Sequence, residues 1–159
     1  MKIGVISDTH QKGTSPLLER VNDTAFKDVD LVIHAGDLLT LDVLEAFRGK
    51  EVIAVSGNND SSEVRRELES KKVVQVRHFK IGLIHGWGWP WGLQKRVETA
   101  FDGIDCLVYG HSHWAVNHRR NGVLYFNPGT FKGGLPSLWR RTVGVLSIGH
   151  EIHGEIIRV

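Results

Sequence analysis

Five apolar runs in this chain each stop at residue types that bind metals, and that recurrence constrains the fold more than any other feature. Ile3–Ser7 leads into Asp8-Thr9-His10, and Leu31–Ala35 into Gly36-Asp37. Val52–Ser56 leads into Gly57-Asn58-Asn59-Asp60, Ile81–Ile84 into His85-Gly86, and Cys106–Tyr109 into Gly110-His111-Ser112-His113. Short apolar runs bounded by turn residues read as buried strands. In open α/β sheets, ligands gather beyond the carboxyl ends of strands. Five strand ends bearing Asp, Asn or His therefore point at one shared crevice.

Between these strands the signals are helical. Ser15 caps a helix that carries Pro16 at its first position, where a missing N–H costs nothing. Thr40 is placed to cap Leu41–Arg48. Asp60, with Glu63 three residues on, reads as a capping box for Ser61–Leu68. Lys72–Arg77 and Phe79–Ile84 are consecutive strands, and Leu93–Phe101 is helical. The last third turns β-rich, with strands at Trp114–Arg119, Gly122–Phe126, Thr142–Ile148 and Ile152–Ile157. Strands alternating with helices, then a β-rich end, predict an α/β architecture of two stacked sheets flanked by helices. At 159 residues the chain is expected to form a single domain, 1–159.

The ligand spacing carries its own geometry. Asp8 and His10 are two apart, so in an extended segment both side chains point to one side, and His111 and His113 repeat the pattern. Their α-carbons would lie about 6.5–7 Å apart. That suits convergence on two metals about 3.5–4 Å from each other. Gly36, Gly57, Gly86 and Gly110 flank ligands and let the backbone approach the ions. Of the remaining histidines, His34 sits in mid-strand and reads as a core or supporting residue, and His78, His118, His150 and His153 read as surface. Cys106 is expected to be buried packing.

The ordered series Asp-x-His, Gly-Asp, Gly-Asn-x-Asp, His-Gly and Gly-His-x-His resembles the calcineurin-like metallophosphoesterase superfamily. The short chain, with Asn127-Pro128-Gly129-Thr130 after the histidine pair, is similar to its small bacterial and archaeal phosphodiesterase branch. The resemblance implies a four-layer α/β/β/α sandwich of two mixed sheets. It also implies that Asp8, His10, Asp37 and His113 hold one metal, and Asp37, Asn58, His85 and His111 the other, with Asp37 bridging. Asp37 and Asn59 are then the catalytic candidates. A set of two carboxylates, four imidazoles and one amide suits Mn, Ni, Fe or Zn better than Mg or Ca, with Mn the expected assay metal. The pair would supply a bridging hydroxide for in-line attack on phosphorus. Larger members carry His where this chain has Asn59. An amide can hydrogen-bond a phosphate oxygen but cannot act as a general acid. A histidine at position 59 would restore one, provided Asp60 could orient it.

Composition sets the partners. The net charge of +2 gives no global nucleic-acid footprint. No acidic residue lies between Asp105 and Glu151, where Arg119, Arg120, Lys132, Arg140 and Arg141 fall, so an anionic substrate or a solvated basic face is expected there. No apolar run approaches the roughly 20 residues that span a bilayer. One cysteine and no recognisable leader favour the cytoplasm. The segment Trp87-Gly-Trp89-Pro-Trp91 cannot be a regular helix and starts at the rim of the crevice. Trp87 and Trp89 are candidates to stack a substrate, with a contact between copies in a homo-oligomer or local packing as alternatives. The expected substrate is a small phosphodiester. A protein-interaction scaffold of the same fold, as in a retromer subunit that resembles these enzymes, and a nuclease component are the competing readings.

Overall fold

The computed structural model describes residues 1–134 and 140–159. The chain runs β1 (Lys2–Ile6), α1 (Pro16–Asp23), β2 (Leu31–His34), a 3-10 helix (Leu41–Phe47), β3 (Glu51–Ala54), α2 (Ser62–Glu67), β4 (Lys71–Val76), β5 (Phe79–Ile84) and α3 (Leu93–Glu98). It continues through β6 (Cys106–Tyr109), β7 (Ala115–Arg120), β8 (Val123–Pro128), β9 (Thr142–Ile148) and β10 (Ile152–Arg158).

Two mixed five-stranded sheets result, ordered β10-β9-β1-β2-β3 and β4-β5-β6-β8-β7. Each has a parallel trio at its heart, β1-β2-β3 in one and β5-β6-β8 in the other. Antiparallel strands complete both sheets. The period-two alternation of β1 explains why it must be covered twice. Ile3 and Val5 face the second sheet, in a core with Ile33, Leu83, Val108 and Phe126. Ile6 faces the other way, with Leu18, Phe26 and Phe47. Gly4 lies under the Phe26 ring, 2.9 Å from where a Cβ would sit, so a side chain there would displace the helix layer. On the far side α3 closes over Leu107, Tyr109 and Tyr125 through Leu93 and Val97. Helices, sheet, sheet and helix make the four expected layers.

Local chemistry sets the element ends. Ser15 caps α1 by accepting from Leu18 N, as its sequence predicts. The next two expectations need correction. Leu41–Phe47 is a 3-10 helix, and the Thr40 side chain makes no capping bond. Its buried Val43 and Ala46 recur every three residues, which matches three residues per turn. The N-cap of α2 is Ser61, accepting from Val64 N, and not Asp60. Asp60 is engaged elsewhere. Cys106 is buried, and burial pushes its thiol well above the usual range, so it stays a packing residue. Among the described residues no helix is long and apolar enough to cross a membrane.

Candidate metal centre

The carboxyl ends of β1, β2, β3, β5 and β6 converge. Backbone bonds tie them directly: Asp8 N donates to Gly36 O, His10 N to Asp37 O, and Gly110 N to His85 O. Around that seam sit Asp8, His10, Asp37, His85 and His113. Asp8 Oδ1 lies 3.1 Å from His113 Nε2, 3.7 Å from His10 Nε2 and 3.9 Å from His85 Nε2. Asp37 Oδ2 lies 3.3 Å from His85 Nε2 and 3.7 Å from His10 Nε2. Two triads, Asp8-His10-His113 and Asp8-Asp37-His85, have the spacing to hold an ion. Asn58 Oδ1 and His111 Nδ1 meet at 2.8 Å beside them.

The backbone achieves this convergence differently from the extended geometry predicted. Asp8, His10, Asp37, His111 and His113 all have φ between 48° and 67°. Left-handed backbone is uncommon for residues with a Cβ and costs about 1–3 kcal/mol per position. Five of the seven expected ligands pay it. The Asp8–His10 and His111–His113 segments are therefore kinked rather than extended. Glycine supplies the clearance. A Cβ on Gly57 would lie 2.2 Å from Asp37 Oδ1, and one on Gly110 would lie 2.0 Å from Ser7 Oγ.

For Asp8 and His85 a bond on the far side of the side chain aims the inward atom. Ser7 Oγ and His111 N donate to Asp8 Oδ2, leaving Oδ1 facing the centre. His85 Nδ1 bonds Ala35 O at 2.7 Å, which fixes that nitrogen as a donor and turns Nε2 toward the centre, free to ligate once deprotonated. Asp8 Oδ1, His10 Nε2 and His85 Nε2 are buried with no hydrogen-bond partner. The His113 approach is close but not aligned to serve as one. Buried polar atoms without partners are costly. Three of them lie together at one seam, Asp8 Oδ1 within 3.7 Å of His10 Nε2 and 3.9 Å of His85 Nε2, and this donor set fits divalent metal ions.

Electrostatics agree. Burial pushes the Asp8 carboxyl up, but the imidazoles of His10, His113 and His85 outweigh it and hold Asp8 well below the usual carboxylate range. Burial lowers His85, yet the Asp37 and Asp8 carboxylates outweigh it, and its pKa is pushed up to about 9. A proton thus occupies the metal-free site at neutral pH, and an ion must expel it. Binding of Mn²⁺ at pH 7 is expected to release protons, read by calorimetry in buffers of different ionisation enthalpy. Release should shrink as pH rises through 9, and release that does not change with pH would contradict this charge state. His34 is the supporting residue expected. Burial lowers its pKa to about 3, and its Nε2 meets Thr9 Oγ1 at 3.1 Å.

Several residues that support the site gave little sequence signal. The Asp60 carboxylate is buried and accepts from Gly57 N at 2.6 Å, Leu39 N at 2.7 Å and Asp37 N at 3.2 Å. Asn59 grips Asp37 twice, through its backbone N at 2.8 Å and Nδ2 at 2.6 Å. Asn127 Nδ2 holds Gly110 O and Ser112 Oγ, and Thr130 Oγ1 holds Asp8 O. The Asn-Pro-Gly-Thr turn therefore braces both ligand pairs. Arg65, from α2, donates to Asn58 O at 3.2 Å. Sequence separation hid these contacts, which span up to 122 residues. The tryptophan segment is clamped by Arg96, whose guanidinium donates to the carbonyls of Trp87, Trp89 and Trp91. Gly88 O in the same segment meets His111 Nε2 at 2.6 Å. Trp87 borders the site, whereas Trp89 is 78% exposed. His78, His118, His150 and His153 are exposed, as expected.

The chain is thus a two-sheet α/β sandwich with a histidine- and carboxylate-lined centre at its strand ends. The calcineurin-like phosphoesterase superfamily domain matches residues 1–151, and the chain belongs to that family. A probable metallophosphoesterase of Methanothermobacter thermautotrophicus is 37% identical over 99% of this chain and 92% of its own length. A phosphodiesterase of Methanocaldococcus jannaschii is 29% identical, with 99% of both chains covered. The solved structure of an archaeal phosphodiesterase superposes with a TM-score of 0.79 at 27% identity, over the full length of both chains. The zinc complex of Vps29 from Entamoeba histolytica shares the fold, with a TM-score of 0.72 at 24% identity over 99% of both chains.

Proposed function

We propose that this chain is a phosphodiesterase working through two divalent metal ions, with Asp8, His10, Asp37 and His113 on one and Asp37, Asn58, His85 and His111 on the other. The observation that carries the reading is the set of partnerless buried atoms, Asp8 Oδ1, His10 Nε2 and His85 Nε2, all at one seam. Bound there, such ions would supply a nucleophile at neutral pH and offset phosphoryl charge. The protein's own part is orientation. Asn59 and Asp60 fix Asp37, the first through both carboxylate oxygens and the second through its backbone N–H. Ala35 O sets the His85 tautomer. Completeness of the ligand set favours an enzyme over a scaffold that merely shares the fold.

The preference for diesters with good leaving groups follows from what surrounds the seam. Asn59 has no proton to give a departing oxygen. A histidine placed at 59 would not repair this. Backbone N–H groups already occupy three of the roughly four lone-pair sites of Asp60, which leaves little to orient a new imidazole. A positioned acid is typically worth about 10²–10⁴-fold. Rates on aryl phosphodiesters spanning leaving-group pKa should therefore fall steeply, in wild type and in Asn59→His alike. The Mn²⁺-dependent panel should also include an aryl monoester and a 2′,3′-cyclic nucleotide. A flat wild-type series, or a preference for the monoester, would overturn this assignment.

A further inference from the structure

Beside the metal seam a cavity of about 390 Å³ opens between α2 and the tryptophan segment. Asn58 and His85 form its inner wall, Ile84 is part of its lining, and Trp87 stands at its edge, 49% exposed. Two cations complete it, Arg65 and Lys71. Neither belongs to a recognised motif; the fold delivers them from the last turn of α2 and the first residue of β4. Arg65 is held against the site by its bond to Asn58 O, and Lys71 Nζ donates to Ala100 O at 2.9 Å. Among the described residues neither forms an ion pair, whereas Lys72, Arg119 and Arg120 each meet a glutamate. Two positive charges without a carboxylate partner thus line one cavity with an exposed indole and two of the expected ligand residues, the chemistry that suits an anion attached to a ring.

We propose that this cavity is the subsite for one arm of the diester, and that the arm it takes is a nucleoside bearing a further phosphate. The indole of Trp87 offers the base a stacking face. Arg65 and Lys71 take the second phosphate, Arg65 in a fork that suits its oxygens. The scissile phosphate then lies at the seam beyond Asn58 and His85. This inference rests on the phosphodiesterase reading and names its substrate class.

The test compares thymidine 3′-(4-nitrophenyl phosphate), a diester with a good leaving group, with its 5′-phosphorylated form on the manganese-loaded protein. Wild type is expected to favour the 5′-phosphorylated ester in kcat/KM by about tenfold or more, the scale of one charge-assisted hydrogen bond. Most of that factor should lie in KM. In Arg65→Gln/Lys71→Gln the ratio should fall toward one, and in the charge-preserving Arg65→Lys/Lys71→Arg it should largely survive. In parallel, calorimetry should give thymidine 3′,5′-bisphosphate a tighter affinity than thymidine 3′-monophosphate, with the gap lost in the double Gln variant. If neither ester is cleaved but the affinity gap is present and charge-dependent, the phosphodiesterase reading fails and the anion subsite stands. If both are cleaved at equal efficiency and the bisphosphate gains nothing, the subsite is wrong and the enzyme reading survives.

Discussion

Asp37→Ala is expected to abolish turnover of an aryl phosphodiester and to cut tightly held Mn²⁺ from two ions per chain to one or fewer. Asp37 Oδ2 lies 3.7 Å from His10 Nε2 and 3.3 Å from His85 Nε2, one imidazole from each proposed ion. Asp8 Oδ1 also reaches one imidazole of each proposed ion, His10 at 3.7 Å and His85 at 3.9 Å, while its second oxygen is committed to Ser7 Oγ and His111 N. Removing Asp37 leaves two like charges close together with one bridging anion fewer, and it strands the two Asn59 donors that grip it. A loss of at least about 10³-fold in kcat is expected, the scale of removing a main source of transition-state charge stabilisation. His10→Ala should weaken only one ion. Both variants should be chelated, refilled with Mn²⁺, and assayed for metal content and turnover. Full activity in chelated wild type, or two ions and turnover in Asp37→Ala, would falsify the dinuclear reading.

What the sequence made legible was local and periodic. The strand runs were visible because each is short, apolar and closed by turn residues, and the strands sit within one or two residues of their predicted positions. The convergence of Asp8, His10, Asp37, His85 and His113 followed from strand polarity alone. The means of convergence did not. No pattern in Asp8-Thr9-His10 announces that two of its residues take left-handed backbone, because the strain is imposed by packing against the neighbouring strand ends. Asp60 misled for a related reason. An Asp ahead of a helix with Glu at the third position after it fits a capping box, yet Ser61 beside it could cap equally well. The tie was broken by Gly57, Asp37 and Leu39, whose buried N–H groups needed a charged acceptor more than the helix did. Arg65 and Lys71 belong to no motif, because only the fold brings α2 and the start of β4 to one cavity with Asn58 and His85.

That account of Asp60 makes the second large prediction, this time on stability. Asp60→Ala is expected to lower unfolding free energy by about 3–5 kcal/mol, since a buried donor left without an acceptor costs about 1–3 kcal/mol and three are involved. Thermal unfolding should fall by roughly 10 °C or more for a chain of this size. Ser61→Ala removes the actual helix cap and should cost only about 1 kcal/mol. Asp60→Asn should lie between, because its amide retains one acceptor oxygen but sets an NH₂ group against one of the N–H donors. The metal centre should feel the difference as well. Asp60 fixes the backbone of Asp37 and Gly57, so Asp60→Ala is expected to weaken Mn²⁺ binding in the fraction that stays folded, whereas Ser61→Ala should leave it alone. Denaturant unfolding of the three variants, with metal titration below the transition, separates the roles. Equal losses in Asp60→Ala and Ser61→Ala would return Asp60 to the status of a helix cap. A large loss confined to Asp60, carried over into metal affinity, would establish one buried carboxylate as the joint between the fold and the site.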